Sequence, residues 1–253
     1  MRLNGQKTLV LDLGDVVFNW APPKDGKISP GELKRVMTSL QWHQFERGQI
    51  SEAQCYEQAG QVLSLNPSDI ADTIQQAKLS LRCDERLVSF LRELKKEPGN
   101  PCKIYAMSNI SKEYYKIIRD QPWEWELFDD IFISGNLGTR KPALRFYEHV
   151  LEAIGHENYP ENVLFVDDKR ENVLSALSLG MQAFRFEDCE KTIQGIRSFL
   201  GDPVERGRQF LRDNAKNMSS TTDSGLVLKE NFAQLLILEA TGNRYLMTCR
   251  FGR

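Results

Sequence analysis

The first apolar block of the chain, TLVLDL at residues 8–13, is short and aliphatic, and Gly14 breaks it at once. Such a block reads as a buried strand that ends in a turn. Three further blocks share that character: KIYAM at 103–107, DIFIS at 130–134 and NVLFVDD at 162–168. Helical periodicity follows each of these three, after Ile110, after Pro142 and after Glu171. Strands alternating with helices predict an α/β fold on a doubly wound parallel sheet, whose ligands sit at the carboxyl ends of the strands.

Between the first block and the second lie residues 19–100, whose patterns are largely helical: PGELKRVMTSLQWHQFE, SEAQCYEQAGQVL and PSDIADTIQQAKLSL. A crossover of that length is more than a connection. Residues 22–81 are therefore expected to form an inserted helical cap over the carboxyl edge of the sheet, placed to act as a lid. A helix at 85–96 returns the chain to the core, which comprises residues 1–21 and 82–201. A C-terminal extension, 202–253, contains the polar linker MSSTTDSG at 218–225 and then an apolar stretch with a helix-then-strand pattern. No internal repeat is present.

Charge narrows the partners. With 33 Lys and Arg against 35 Asp and Glu, the net charge is -2, so no basic field exists to recruit nucleic acid or an anionic membrane. A small anionic substrate must be held by local groups. The five cysteines are odd in number and scattered, which fits neither a disulfide framework nor zinc spacing. No apolar stretch approaches the roughly 20 residues of a membrane span. The expectation is a cytoplasmic protein without a targeting segment.

The polar residues at the strand ends carry the candidate chemistry. Asp12 closes the first block, Ser108 and Asn109 follow the second, Lys141 sits in LGTRKPALRFYEHVL, and Asp167 and Asp168 end the last, with Asn172 beyond. Taken singly, the acids and the Ser-Asn pair read equally well as helix caps, and Lys141 as a surface lysine before Pro142. As an ordered set they resemble the haloacid dehalogenase-like superfamily, over residues 8–186, with the insertion matching its C1-type cap. The resemblance implies that Asp12 is the nucleophile, that Ser108 and Asn109 form the second motif, that Lys141 is the third-motif lysine, and that Asp167 and Asp168 are the acidic fourth motif. It also implies magnesium, held by Asp12, the backbone carbonyl of Gly14 and an oxygen of Asp167 or Asp168, with Asp168 preferred. The chemistry suits the residue types. A carboxylate can accept a phosphoryl group and split a difficult hydrolysis into two easier steps. Clustered carboxylates repel a phosphate unless a hard cation and a lysine offset their charge.

Phosphatases of this superfamily usually carry a second aspartate two positions after the nucleophile, where it protonates the leaving oxygen. Here that position is Gly14, followed by Asp15. A good leaving group, such as a phosphate monoester departing from a diphosphate, needs little or no proton; the site therefore uses such a leaving group or another proton source, or it binds magnesium and phosphate yet turns over poorly. A narrower resemblance lies in DLGDVVF, SGNLGTRKP, FVDDKRENVLSALSLGM and LILEATGNRYLMTCRFGR. These are similar to the haloacid dehalogenase-like part of fungal drimane-type sesquiterpene synthases and to the related stand-alone sesquiterpene phosphatases. The 253 residues contain no DxDTT motif, so cyclisation is not expected of them. The resemblance implies a magnesium-dependent phosphatase of terpenoid biosynthesis that acts on a sesquiterpene diphosphate or monophosphate. Two alternatives stand: a weakly catalytic module that docks on or stabilises a terpene cyclase through the C-terminal segment, which is also a candidate homo-oligomer contact, or a sugar-1-phosphate phosphatase. WHQFERGQIS, at 42–51, resembles a cap segment of the branch that includes sugar-1-phosphate phosphatases, and its aromatics are expected in the cap core. His43, His149 and His156 show no ligand spacing and are given no role.

Overall fold

A computed structural model describes residues 6–96 and 102–201. Its strands are β1 (Thr8–Leu11), β2 (Phe18–Asn19), β3 (Arg82–Cys83), β4 (Lys103–Ser108), β5 (Asp130–Ile133), β6 (Val163–Asp167) and β7 (Gln182–Arg185). Five of them form one sheet in the order β5-β4-β1-β6-β7, with every pairing parallel. The central strand β1 is buried at all four positions, and β6 at all five. Both therefore read as continuous rather than alternating apolar runs. The polar residue in β1, Thr8, shares a hydrogen bond of 3.0 Å with the ring Nε2 of buried His156.

Register decides what emerges at the carboxyl edge. Leu11 lies beside Ala106 of β4 and Val166 of β6. The next residues out, Asp12 and Asp167, therefore leave neighbouring strands side by side, and the Asp12 amide donates to the Val166 carbonyl at 2.9 Å. One face of the sheet is closed by an amphipathic helix whose Phe146, Tyr147, Val150 and Leu151 pack against Val10, Met107, Val163 and Phe165. Tyr147 meets Phe165 edge-on at 5.4 Å between ring centroids.

The insertion consists of α1 (Pro30–Met37), α2 (Leu40–Glu46), α3 (Glu52–Leu63) and α4 (Pro67–Leu79), bracketed by the antiparallel pair β2 and β3. It has a core of its own, including Leu33, Val36, Trp42, Phe45, Tyr56 and Ile70, so Trp42 and Phe45 are cap core as the sequence suggests. PGELKRVMTSLQWHQFE proves to be two helices rather than one. Thr38 ends α1 by donating its hydroxyl to the Lys34 carbonyl at 2.9 Å, and the Ser39 hydroxyl caps α2 by accepting from the Trp42 amide at 3.2 Å. Hydroxyl side chains that bond locally to backbone favour a helix end over a helix interior. The cap meets the carboxyl edge where α2 ends: the Ser134 hydroxyl, just past β5, donates to the Glu46 carbonyl at 2.7 Å.

The remaining helices are α5 (Glu85–Lys96), α6 (Lys112–Arg119), α7 (Ser134–Leu137), α8 (Leu144–Ala153), α9 (Arg170–Ser178) and α10 (Cys189–Leu200). The chain divides into two units, Met1–Ile193 and Gln194–Arg253. The linker at 218–225 and the apolar stretch after it lie outside the described residues. Among those described, Cys55, Cys83, Cys102 and Cys189 are free, and no helix is long and apolar enough to cross a membrane.

Candidate active site at the carboxyl edge of the sheet

Lys141 is only 1% exposed, yet its three ammonium hydrogens all find acceptors: Asp12 Oδ1 at 2.9 Å, Asp167 Oδ2 at 2.6 Å and the Met107 carbonyl at 2.7 Å. A buried ammonium is tolerated only when paired in this way. The lysine is therefore no surface residue. Asp167 is wholly buried and its other oxygen accepts from the Lys169 amide at 2.8 Å and from Asn172 Nδ2 at 2.9 Å. Both of its oxygens are committed. Asp168 is bound by Lys169 Nζ at 2.5 Å, and Asp12 Oδ1 also accepts from the Leu13 amide at 2.7 Å.

Asn109 grips Lys141 by its peptide. Its Oδ1 accepts from the Lys141 amide at 2.8 Å and its Nδ2 donates to the Lys141 carbonyl at 3.0 Å. Ser108, at the end of β4, is buried to 6% exposure. Helix capping does not account for these groups. The cap of α6 is Ser111, while α8 and α9 start after Ala143 and Lys169 with no side-chain cap.

Electrostatics separate the two inner carboxylates. Burial pushes Asp12 up to about 7, Lys141 pulling against it and the charges of Asp167 and Asp168 adding to it. Burial also acts upward on Asp167, but there Lys141, the Lys169 amide and Asn172 outweigh it and hold the carboxyl below the usual range. Asp167 is the fixed anion of the pair because it has more donors. For Lys141, the attraction of Asp12 and Asp167 outweighs a burial that works in the other direction, and its pKa is raised.

The donor set fits magnesium. Asp12, Asp167 and Asp168 each offer one oxygen, and these atoms all lie within 4.8 Å of one another. Hard oxygen ligands are what that ion takes, and the excess of three carboxylates over the ammonium groups of Lys141 and Lys169 is what a cation would offset. Gly14 follows directly in the turn, where an added Cβ would meet nothing within 4 Å, so bulk does not explain the glycine. Asp15 is in the left-handed region at φ 58°, and its amide donates to the Phe18 carbonyl at 2.7 Å. Burial raises the Asp15 carboxyl, Asp168 adds to this, and Lys169 and a hydrogen bond with Trp20 oppose it. Its side chain is thus within electrostatic reach of Asp168 and Lys169. Sequence reasoning passed over Lys169, whose only signal is its place directly after the acidic pair.

A similar fold occurs in a haloacid dehalogenase-family enzyme from Bacteroides thetaiotaomicron solved with magnesium and inorganic phosphate. That structure has a TM-score of 0.54 and 19% identity, covering 72% of this chain and 95% of the other. In sequence, the chain is 40% identical over 195 residues to the sesquiterpene phosphatase astK of Aspergillus oryzae, covering 77% of this chain and 97% of that protein. The chain belongs to the haloacid dehalogenase-like hydrolases. A second relative of this chain is the drimenol cyclase drtB of Aspergillus calidoustus, 38% identical over 247 residues. Here the chain aligns over 98% of its own length but spans only 46% of the cyclase. Residues 204–252, outside the described part, match the family described as the sesquiterpene cyclase astC-like C-terminal domain.

Proposed function

We propose that this protein is a magnesium-dependent phosphatase that hydrolyses a small organic phosphate through an aspartyl-phosphate intermediate. Its substrate is a drimane-type sesquiterpene diphosphate or monophosphate. The observation that carries the reading is the convergence of Asp12, Lys141, Asp167 and Asp168 at adjoining strand ends.

Asp12 Oδ1 is held by Lys141 and the Leu13 amide, which leaves Oδ2 as the attacking atom. The Oδ2–phosphorus bond forms as the bond from phosphorus to the leaving oxygen breaks, and water then hydrolyses the acyl phosphate. Lys141 keeps Asp12 oriented and offsets its charge. Asp167 holds Lys141. The Ser108 hydroxyl donates to a phosphoryl oxygen whose charge grows in the transition state. Asp12, Asp168 and the Gly14 carbonyl would hold magnesium, which when bound offsets the negative charge shared by carboxylates and phosphate.

With glycine at position 14, no acid stands there to protonate an alkoxide, and the site favours a leaving group of low basicity. A phosphate monoester leaving from a diphosphate meets that need. The names of astK and drtB support the sesquiterpene class. The test is phosphate release from prenyl and drimanyl diphosphates, the monophosphates and hexose phosphates, with magnesium and with chelator. Prenyl-type diphosphates should be the best substrates and chelator should abolish release. Asp12→Asn should lower turnover by about 10⁴-fold or more, and retained turnover in that variant would refute covalent catalysis. Faster release from hexose phosphates would overturn the substrate class. The match at residues 204–252 supports a second reading, in which the chain recruits or stabilises a terpene cyclase.

A further inference from the structure

The segment WHQFERGQIS is not used by the chemistry above, yet it forms the seam between cap and core. Glu46, at the end of α2, is 9% exposed. Its Oε1 accepts from Trp42 Nε1 at 3.0 Å and its Oε2 from Arg140 Nε at 2.7 Å, across 94 residues of sequence. Its backbone carbonyl accepts from the Ser134 hydroxyl, which in turn accepts from the Ile110 amide at 2.9 Å. At Gly48, with φ 68°, an added Cβ would stand 3.0 Å from the Gly135 carbonyl oxygen, so the chain turns away from α2 in close contact with the core. Arg140 is the residue before Lys141.

Lys141 must place one nitrogen at three acceptors at the end of a long, flexible side chain. That demands a fixed base. Asn109 fixes the Lys141 peptide, and the Ser175 hydroxyl, donating to the Pro142 carbonyl at 2.7 Å, fixes the residue after it. The residue before it is held at its carbonyl by the Ala143 amide at 2.9 Å and at its side chain from the cap, by the Glu46 bond to Arg140. An apolar pair would serve stability as well as a buried ion pair or better; a charged hydrogen bond adds direction.

We propose that Glu46 is a positioning residue for Lys141. Its bond to Arg140 ties the seated cap to the loop that carries the lysine, so that Lys141 reaches Asp12 and Asp167 together only while the cap is docked. The kinetic side of this rests on the phosphatase reading.

The test uses the full chain with magnesium, p-nitrophenyl phosphate as probe, and the variants Glu46→Gln, Arg140→Met and the pair combined. The second readout is the ¹⁵N NMR signal of the Lys141 ammonium, assigned by its loss in Lys141→Arg. Each folded variant should lose about tenfold to hundredfold in kcat with KM changed by less than about threefold, and the ammonium signal should shift or broaden. A folded double variant with kcat within about twofold of the parent and an unmoved ammonium signal would overturn the proposal. A parent inactive on p-nitrophenyl phosphate and on the prenyl diphosphates alike would instead sink the phosphatase reading, and the ammonium signal alone would then decide whether Glu46 positions Lys141.

Discussion

Lys141 illustrates how one residue can bear both structure and chemistry. Its ammonium separates Asp12 from Asp167 at almost no exposure. Lys141→Met leaves two carboxylates facing each other without a counter-charge, and breaking a buried pair by removing one partner costs about 3–5 kcal/mol. Urea unfolding in chelator should register that loss. Asp12→Asn should show no comparable loss, because it removes one charge from a crowded set while keeping the side chain's shape. The residues legible in the sequence were those whose type the chemistry dictates: a candidate nucleophilic carboxylate, a hydroxyl and paired acids at strand ends, and a lysine in the loop between α7 and α8. Asn109 was legible in place but not in contact, since its partner lies 32 residues on. The Glu46 bond to Arg140 had no local signal at all, because nothing in either segment's periodicity points to the other.

Helix α2 carries its own pH response. Burial, reinforced by the charges of Arg140 and Arg47, pushes His43 from the ordinary 6.5 down to about 4. Between those values the unfolded chain binds a proton that the folded chain refuses, so stability falls as pH drops from about 6.5 towards 4 and is fully present above that window. His43→Gln should flatten this part of the profile, and urea midpoints across the pH range would reveal it. A profile unchanged by the substitution would remove His43 as a cause. Among the elements, the four apolar blocks became β1, β4, β5 and β6: β1 and β6 are buried at every position, which makes them continuous in sequence, whereas the edge strand β5 shows through its consecutive Ile131, Phe132 and Ile133. The fifth strand, β7, was missed: QAFR has only Ala183 and Phe184 between polar ends, so no apolar run stands out. The two-residue strands β2 and β3 are too short for any period to show.

At the scale of the molecule, a near-neutral chain sets up no net field to draw in an anion, so the proposed phosphate binding would rest on the few groups at one sheet edge. Whether the chain acts alone is decided by removing residues 219–253. A free-standing phosphatase should keep its rate of phosphate release, whereas a docking module should lose co-sedimentation with a terpene cyclase. The cap leaves the core beside β2 and returns beside β3, with Phe18 opposite Cys83 and Asn19 opposite Arg82. Its two ends are thus one rung apart, and a differently shaped insertion can be grafted there without disturbing the register of the sheet beneath. Such a transplant would exchange the cap and keep Asp12, Lys141, Asp167 and Asp168 in place. It would succeed only if the donor brought its own acidic side chain to meet Arg140.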